Sequence, residues 1–228
     1  MKYPLISHYK KILADTITPV SVYLKIRDRF PNSILLESSD YHANDNSFSY
    51  ICFNPIASIT VENETVVQQF PDGTSERSEI TPETDIPGIL HLFSQRFESN
   101  NNDFKFINNG LFGYMAYDAV RYFEDIAISK KDNSIAIPDI HYAVYSNIVA
   151  INHFKNEAYI FAHCYDTENN IPEIEQLLSV KNFASYNFFK TGDPVSNLGD
   201  HEYREQVELA KKHCFRGDIF QLVLSRRF

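Results

Sequence analysis

The chain has 228 residues, 43% of them hydrophobic, with 18 Phe and 14 Tyr against 7 Gly and no Trp. A chain of this length buries about 70% of its unfolded surface, enough for one large or two small domains, and its aromatic content argues against a disordered or low-complexity protein. The formal net charge of −9 argues against nucleic acid and against an anionic membrane surface, because clustered Lys and Arg are needed to hold either; the expected partner is a small molecule or another protein.

Residues 1–19 are charged and lack the continuous apolar stretch of a leader, and nowhere do about 18 apolar residues run together as a membrane span needs. A cytoplasmic protein is expected. Val20 to Phe30 lies between Pro19 and Pro31 with Val22, Ile26 and Phe30 at helical spacing, which predicts a helix. Ser33 to Ser38 reads as a buried strand, and Phe48–Phe53 and Ile56–Val61 as two more, interrupted where Asn54-Pro55 removes a ladder donor. The stretch around Pro71-Asp72-Gly73 predicts a surface hairpin, because Asp-Gly supplies the positive φ of a tight turn. Pro87 to Phe97 predicts a helix with Ile89, Leu92, Phe93 and Phe97 on one side.

Residues 110–126 read as a strand followed by a helical turn, in which Gly113 marks either close approach by another backbone or ligand, or a bulge. Residues 141–151 and 157–165 form a predicted hairpin across His153-Phe154-Lys155-Asn156, and 172–179 a short helix. The stretch 181–200, with its glycines, proline and asparagines, reads as a linker or surface crossover. Asp200 is placed to cap a regular helix with Tyr203, Val207, Ala210 and Cys214 as its apolar stripe and a Glu208–Lys212 pair; Gly217 suits its end. Ile219, Phe220, Leu222, Val223 and Leu224 then read as a buried strand with nothing after it to pair with. That severed edge predicts self-association through the C-terminal strand.

Adjacent strands outnumber strand–helix alternations, so the expected fold is α+β, with antiparallel sheets and flanking helices. The expected domains are 1–180 as a regulatory or scaffold domain, 181–199 as a linker, and 200–228 as the start of a second, truncated domain. Cys52, Cys164 and Cys214 are widely separated and odd in number, and read as buried structural thiols. The eight histidines show no metal-site spacing; His153 and His163 alone are placed to face one way on neighbouring strands.

Residues 202–228, EYREQVELAKKHCFRGDIFQLVLSRRF, resemble the segment that opens the chorismate-binding part of anthranilate synthase component I. LLESSD at 35–40, FSYICFNP at 48–55 and GYMAYDAVRYFED at 113–125 resemble further motifs of that family, in the right order. The resemblance spans nearly the whole chain but only the front half of a typical member, so an N-terminal fragment is expected. It implies an aminase subunit that makes anthranilate from chorismate, with tryptophan as feedback inhibitor and a glutamine amidotransferase subunit as partner. It also implies that Leu36, Glu37 and Ser38 help form the tryptophan pocket, a hydroxyl and a carboxylate being suited to an amino acid's polar groups. The alternative reading of Glu37 is a solvated strand-end charge, and of Ser38 an ordinary turn.

Ser49 is a possible neighbour of that pocket, and Cys52 stands where the family usually has glycine, which weakens the case for close backbone approach there. Gln221 matches the position at which related water-adding enzymes have a lysine base. Ammonia needs no such base, so a neutral amide there implies selection of the nucleophile; the alternative is a strand glutamine bonded to a neighbouring backbone. The family's Mg2+ ligands and catalytic histidine lie beyond Phe228, so no cofactor and no turnover are expected of these residues alone. Two other readings stay open: a fragment of aminodeoxychorismate synthase component I, and a non-catalytic amino-acid-binding module.

Overall fold

The structure, a computed structural model, describes residues 1–37, 47–100, 104–126, 128, 137–180 and 186–228. The chain divides into two units, Met1–Ala184 and Ser185–Phe228. In the first, the described elements are β1 (Tyr3–Leu13), α1 (Pro19–Ile26), β2 (Ile34–Glu37), β3 (Phe48–Glu62), β4 (Thr65–Gln69), β5 (Ser75–Glu79), α2 (Ile86–Ser94), β6 (Phe97–Ser99), β7 (Phe112–Met115), a 3₁₀ turn (Tyr117–Tyr122), β8 (Ile140–Asn152), β9 (Glu157–Cys164) and α3 (Ile171–Ser179). The second holds α4 (Asp200–Arg216).

The first unit has the expected α+β architecture, with one nine-stranded sheet that is antiparallel except where β6 joins β1 in parallel. Its spine is the pair of long strands β3 and β8, in register from Phe48↔Asn152 to Val61↔Ile140. Each long strand takes two neighbours along its other edge: β2 and β4 on β3, β9 and β7 on β8. β5 extends β4, and β1 extends β9.

Helices α1 and α3 cover one apolar cluster, in which Val22, Ile26, Ile174 and Leu178 meet Ile51, Phe53, Val149 and Ile160. Helix α2 covers a second, in which Ile86 and Phe93 meet Tyr3, Ile59, Val66 and Ile140. A third holds Phe48, Cys52, Tyr145 and Phe161, with Phe104 and Phe106 packed on it. Alternate residues of the first half of β3 thus enter different clusters, which is why that segment reads as a continuous apolar run. Among the described residues no helix is long and apolar enough to cross a membrane.

Several expectations are corrected. The two strands foreseen at 48–53 and 56–61 are one strand with a bulge: Asn54 takes a φ of +56° and the register shifts between Pro55 and Ala57, so the proline bends the ladder without ending it. The strand at 34–37 is an edge strand, with Leu36 and Glu37 exposed, because β2 pairs on one side only. Leu92 points to solvent and Phe97 opens β6, whereas Phe93 is buried and Ile89 packs against the same cluster as expected, joined by Ile86. The N-terminal stretch, given no element from sequence, is the eleven-residue β1.

In the second unit, α4 starts after Gly199, whose N–H donates to the Glu202 carboxylate at 2.7 Å, and Asp200 instead takes Arg226 at 2.6 Å. Glu208 pairs with Lys211 at 2.7 Å, where Lys212 was expected. Gly217 ends the helix at φ +79°, as its position predicts. Cys52 and Cys164 are buried, whereas Cys214 is exposed because α4 buries no residue fully.

Residues 219–224 form no strand: Phe220 is 99% and Val223 81% exposed. The described part of this unit offers no strand edge to pair with. The tail is held instead by Arg226 on Ser196 and by backbone and side-chain bonds between Arg227 and Asn197, with Leu222 and Leu224 lining a cavity of about 330 Å³ beside Val207, Ala210 and Cys214. The edge that self-association required is therefore not formed.

Two buried polar groups pin the sheet. Asn147 is fully buried: its Oδ1 accepts from Asn54 at 2.7 Å and from Asn170 at 3.2 Å, and its Nδ2 donates to Asn170 at 2.8 Å. His163 bonds Ser7 Oγ through Nδ1 at 2.7 Å and the Asn108 carbonyl through Nε2 at 2.8 Å, so the ring donates from Nε2 and accepts at Nδ1. Burial holds its pKa below the ordinary value, only partly offset by the Asn108 bond.

The unfolded imidazole binds a proton near pH 6.5 while the folded one resists it, so this stability is present above about pH 6.5 and is lost as pH falls below it. His163→Asn should therefore destabilise the chain more at pH 7.5 than at pH 5.5, the difference being on the order of 1 kcal/mol by urea unfolding. Gly113 lies opposite Tyr142, where an added Cβ would sit 1.9 Å from the His141 carbonyl oxygen. Close backbone approach is thus the correct one of the two readings of this glycine. Gly113→Ala should cost about 1–3 kcal/mol, read as a lower urea midpoint with an unchanged slope.

Candidate functional site

The motif strand β2 lies antiparallel to the first half of β3, with Leu36 opposite Tyr50 and Glu37 opposite Ser49. Side chains alternate along a strand, so Leu36 and Tyr50 share one face and Glu37 and Ser49 the other. The structure brings Leu36 and Glu37 to one edge but does not bring their side chains together, and Ser38 lies outside the described residues.

The Leu36 face is aromatic. Tyr50 stacks on Phe48 with ring centroids 6.0 Å apart and lies 6.0 Å from Phe112, while Phe48 stacks on Phe106 at 4.5 Å. Burial pushes the Tyr50 hydroxyl pKa up, against an opposing backbone hydrogen bond to Ile107. A half-exposed leucine beside such a wall suits an apolar ring. On the other face Ser49 is fully buried and its Oγ lies 2.7 Å from Nε2 of His153, which sits in the β8–β9 turn. That hydroxyl is engaged within the protein, and Glu37 is left as an exposed carboxylate able to accept from a cation.

His153 and His163 do not meet: the first is bound to Ser49 in the turn and the second to Ser7 and Asn108 within the sheet. Cys52 is fully buried between Ile34 and Ile148, and burial pushes its thiol far above the usual range, so it is an inert packing group. Gln221 is exposed in the second unit, outside any strand. Among the described residues no three His, Cys, Asp or Glu side chains converge as cation ligands.

Two features escape sequence reasoning. A cleft of about 400 Å³ opens at the bulge, lined among others by Asn32, Ser58, Gln69, Ser75 and His141. Burial lowers the pKa of His141, which also bonds Thr60 at 3.0 Å. The cleft's only trace in the sequence is the Asn54-Pro55 break. The second is a lock between the 3₁₀ turn and the start of β8. The Arg121 guanidinium reaches Asp139 at 2.5 Å, the Asp118 carbonyl at 2.9 Å and the Tyr122 hydroxyl at 3.1 Å, and Tyr122 donates to Asp139 at 2.9 Å. Burial and the Asp139 carboxylate raise the Tyr122 pKa. Arg121 and Asp139 are 18 residues apart, a separation that carries no periodic signal.

The family model described as chorismate binding enzyme matches residues 32–228. Anthranilate synthase component 1 of Lactococcus lactis is 29% identical over 231 residues, covering 96% of this chain and 48% of that protein. The chloroplastic anthranilate synthase alpha subunit 1 of Arabidopsis thaliana is 28% identical over 263 residues, covering 98% of this chain and 43% of the relative. The chain spans about half the length of the curated relatives it matches. A crystal structure of anthranilate synthase component I from Streptococcus pneumoniae shares the fold, with a TM-score of 0.50 at 21% identity over 92% of this chain and 46% of that one. The family match takes in β2, the long central pair and α4 alike, and the chain belongs to the chorismate binding enzyme family.

Proposed function

We propose that the chain is the N-terminal part of an anthranilate synthase aminase subunit, a cytoplasmic enzyme of tryptophan biosynthesis that converts chorismate with ammonia or glutamine to anthranilate and pyruvate. The observation that carries this reading is that relatives named as anthranilate synthase large subunits align over nearly the whole of this chain and over less than half of themselves. The first unit acts as scaffold and contributes part of the tryptophan feedback site. Leu36, beside the aromatic wall of Tyr50 and Phe48, offers an apolar surface for an indole ring. Glu37, on the opposite face, serves an ammonium only if the ligand reaches around the strand edge, and Ser38 supplies a hydroxyl.

Gln221 selects ammonia over water by presenting a neutral amide where a lysine base would activate water. The remaining reaction groups, including the magnesium-holding glutamates, are supplied by polypeptide beyond these residues, and glutamine-derived ammonia by an amidotransferase subunit. The isolated chain is therefore inactive.

With chorismate, ammonium and Mg2+ the purified chain should release no anthranilate fluorescence, and addition of a polypeptide carrying the second half of the relatives' length should restore it. Turnover by the chain alone would overturn the assigned inactivity, and aminodeoxychorismate as product of the restored pair would transfer the reading to the 4-aminobenzoate branch. In the restored pair, Glu37→Gln should weaken tryptophan inhibition by roughly tenfold, the value of one charge-assisted hydrogen bond.

A further inference from the structure

Asn109 and Gly110 form the chain's one Asn-Gly pair, and Asp72 and Gly73 its one Asp-Gly pair. In both, the glycine nitrogen can attack the side-chain carbonyl of the residue before it, because glycine carries no Cβ to obstruct the ring that closes. The fold treats the two pairs differently. Gly73 donates its N–H to the Phe70 carbonyl at 3.0 Å, and the Asp72 carboxylate accepts from the Thr74 N–H at 3.0 Å and the Thr74 hydroxyl at 2.6 Å. Nucleophile and electrophile are there both taken by third groups. Gly110 instead donates to Oδ1 of Asn109 itself at 2.8 Å, so the electron pair left when that N–H loses its proton points at the carbonyl group it must attack. Gly110 has a φ of +141° with nothing within 4 Å of where a Cβ would stand, and Asn109 lines a cleft of about 190 Å³. The ring has room to close and water has room to enter.

We infer that Asn109 is a deamidation site, and that its conversion loosens the hold on the buried His163. The Gly110 nitrogen, deprotonated by hydroxide, bonds to Asn109 Cγ, and the side-chain amide takes up a proton and leaves as ammonia, giving a cyclic imide. Water then opens either carbonyl of the ring, to aspartate or to isoaspartate, and no oxidant or reductant enters. Both products add a carboxylate. Isoaspartate also routes the main chain through the side chain, which lengthens it by a methylene group. The carbonyl next to that insertion belongs to Asn108 and accepts from His163 Nε2 at 2.8 Å. His163 is 1% exposed and its other nitrogen is bound to Ser7, so an Nε2–H that loses this carbonyl becomes a buried donor without a partner.

The test is to incubate the chain, folded and in urea, in mildly alkaline buffer, and to map isoaspartate by enzymatic methylation followed by peptide mass spectrometry. At Asn109 the folded chain should convert as fast as the unfolded one. At Asp72 it should convert about tenfold or more slower than the unfolded one, since that reaction waits on local opening of the hairpin. Folding that slows Asn109 as much as it slows Asp72 would overturn the site. The urea midpoint of the converted chain should fall, while that of Asn109→Gln incubated alongside should hold, because ring closure from the longer side chain is slower. An unchanged midpoint in the converted chain would overturn the link to His163.

Discussion

The architecture depends on one pair of strands being longer than any neighbour and bent in the middle. β3 and β8 run side by side over the full height of the sheet, and the bend between them is fixed where Asn54 and Asn170 converge on the buried amide of Asn147. Burying an amide without partners costs on the order of 1–3 kcal/mol, so the cluster is stable only when all three segments are in place. It therefore couples the bulge in β3 to the start of α3, and through α3 to the cluster beneath α1. A flat ladder at this point would remove the cleft lined by Ser58 and His141.

The same length mismatch places the motif segments. Because each long strand outruns its neighbours, four short strands dock at the ends of the pair, and two of these, β2 and β7, carry motif residues. An edge strand has one face of its ladder free and side chains open to solvent, which is where recognition residues of a rigid scaffold are found. Leu36 and Glu37 owe their exposure to this position, and so do Tyr114 and Met115. Buried packing and exposed motif residues are separated along the sheet, the first in the middle of β3 and β8 and the second at the ends.

Periodicity and turn chemistry made most of these elements legible. Pro19 with the Val22–Ile26 spacing of α1, Asp72-Gly73 in the hairpin and the apolar runs of β8 and β9 each state a local preference that the fold satisfies. β1 was illegible because its outward residues, His8, Lys10 and Lys11 among them, are as polar as a loop, and its place is fixed by pairing with β9, more than 140 residues away. The motif residues were legible as a string, but a string hides strand alternation, so the opposition of Leu36 and Glu37 emerged only with the register. The Arg121–Asp139 lock and the bulge cleft are long-range arrangements without a spacing signature.

The tail at 219–224 shows why an apolar run and a buried strand are different statements. The run establishes what a segment needs, namely partners for alternate side chains and for its backbone groups; whether a sheet edge lies within reach is decided elsewhere in the chain. In the second unit the described residues offer a single helix, so Leu222 and Leu224 line a cavity beside Val207 and Ala210 while Phe220 and Val223 remain in water. Leaving one such side chain exposed forgoes about 1.5–3 kcal/mol of burial. The ion pair of Arg226 with Asp200 and the exchange between Arg227 and Asn197 do little to offset that loss, since exposed polar contacts are screened by water. The balance in this unit thus favours any added surface that covers Phe220 and Val223 over the arrangement in which they stand alone.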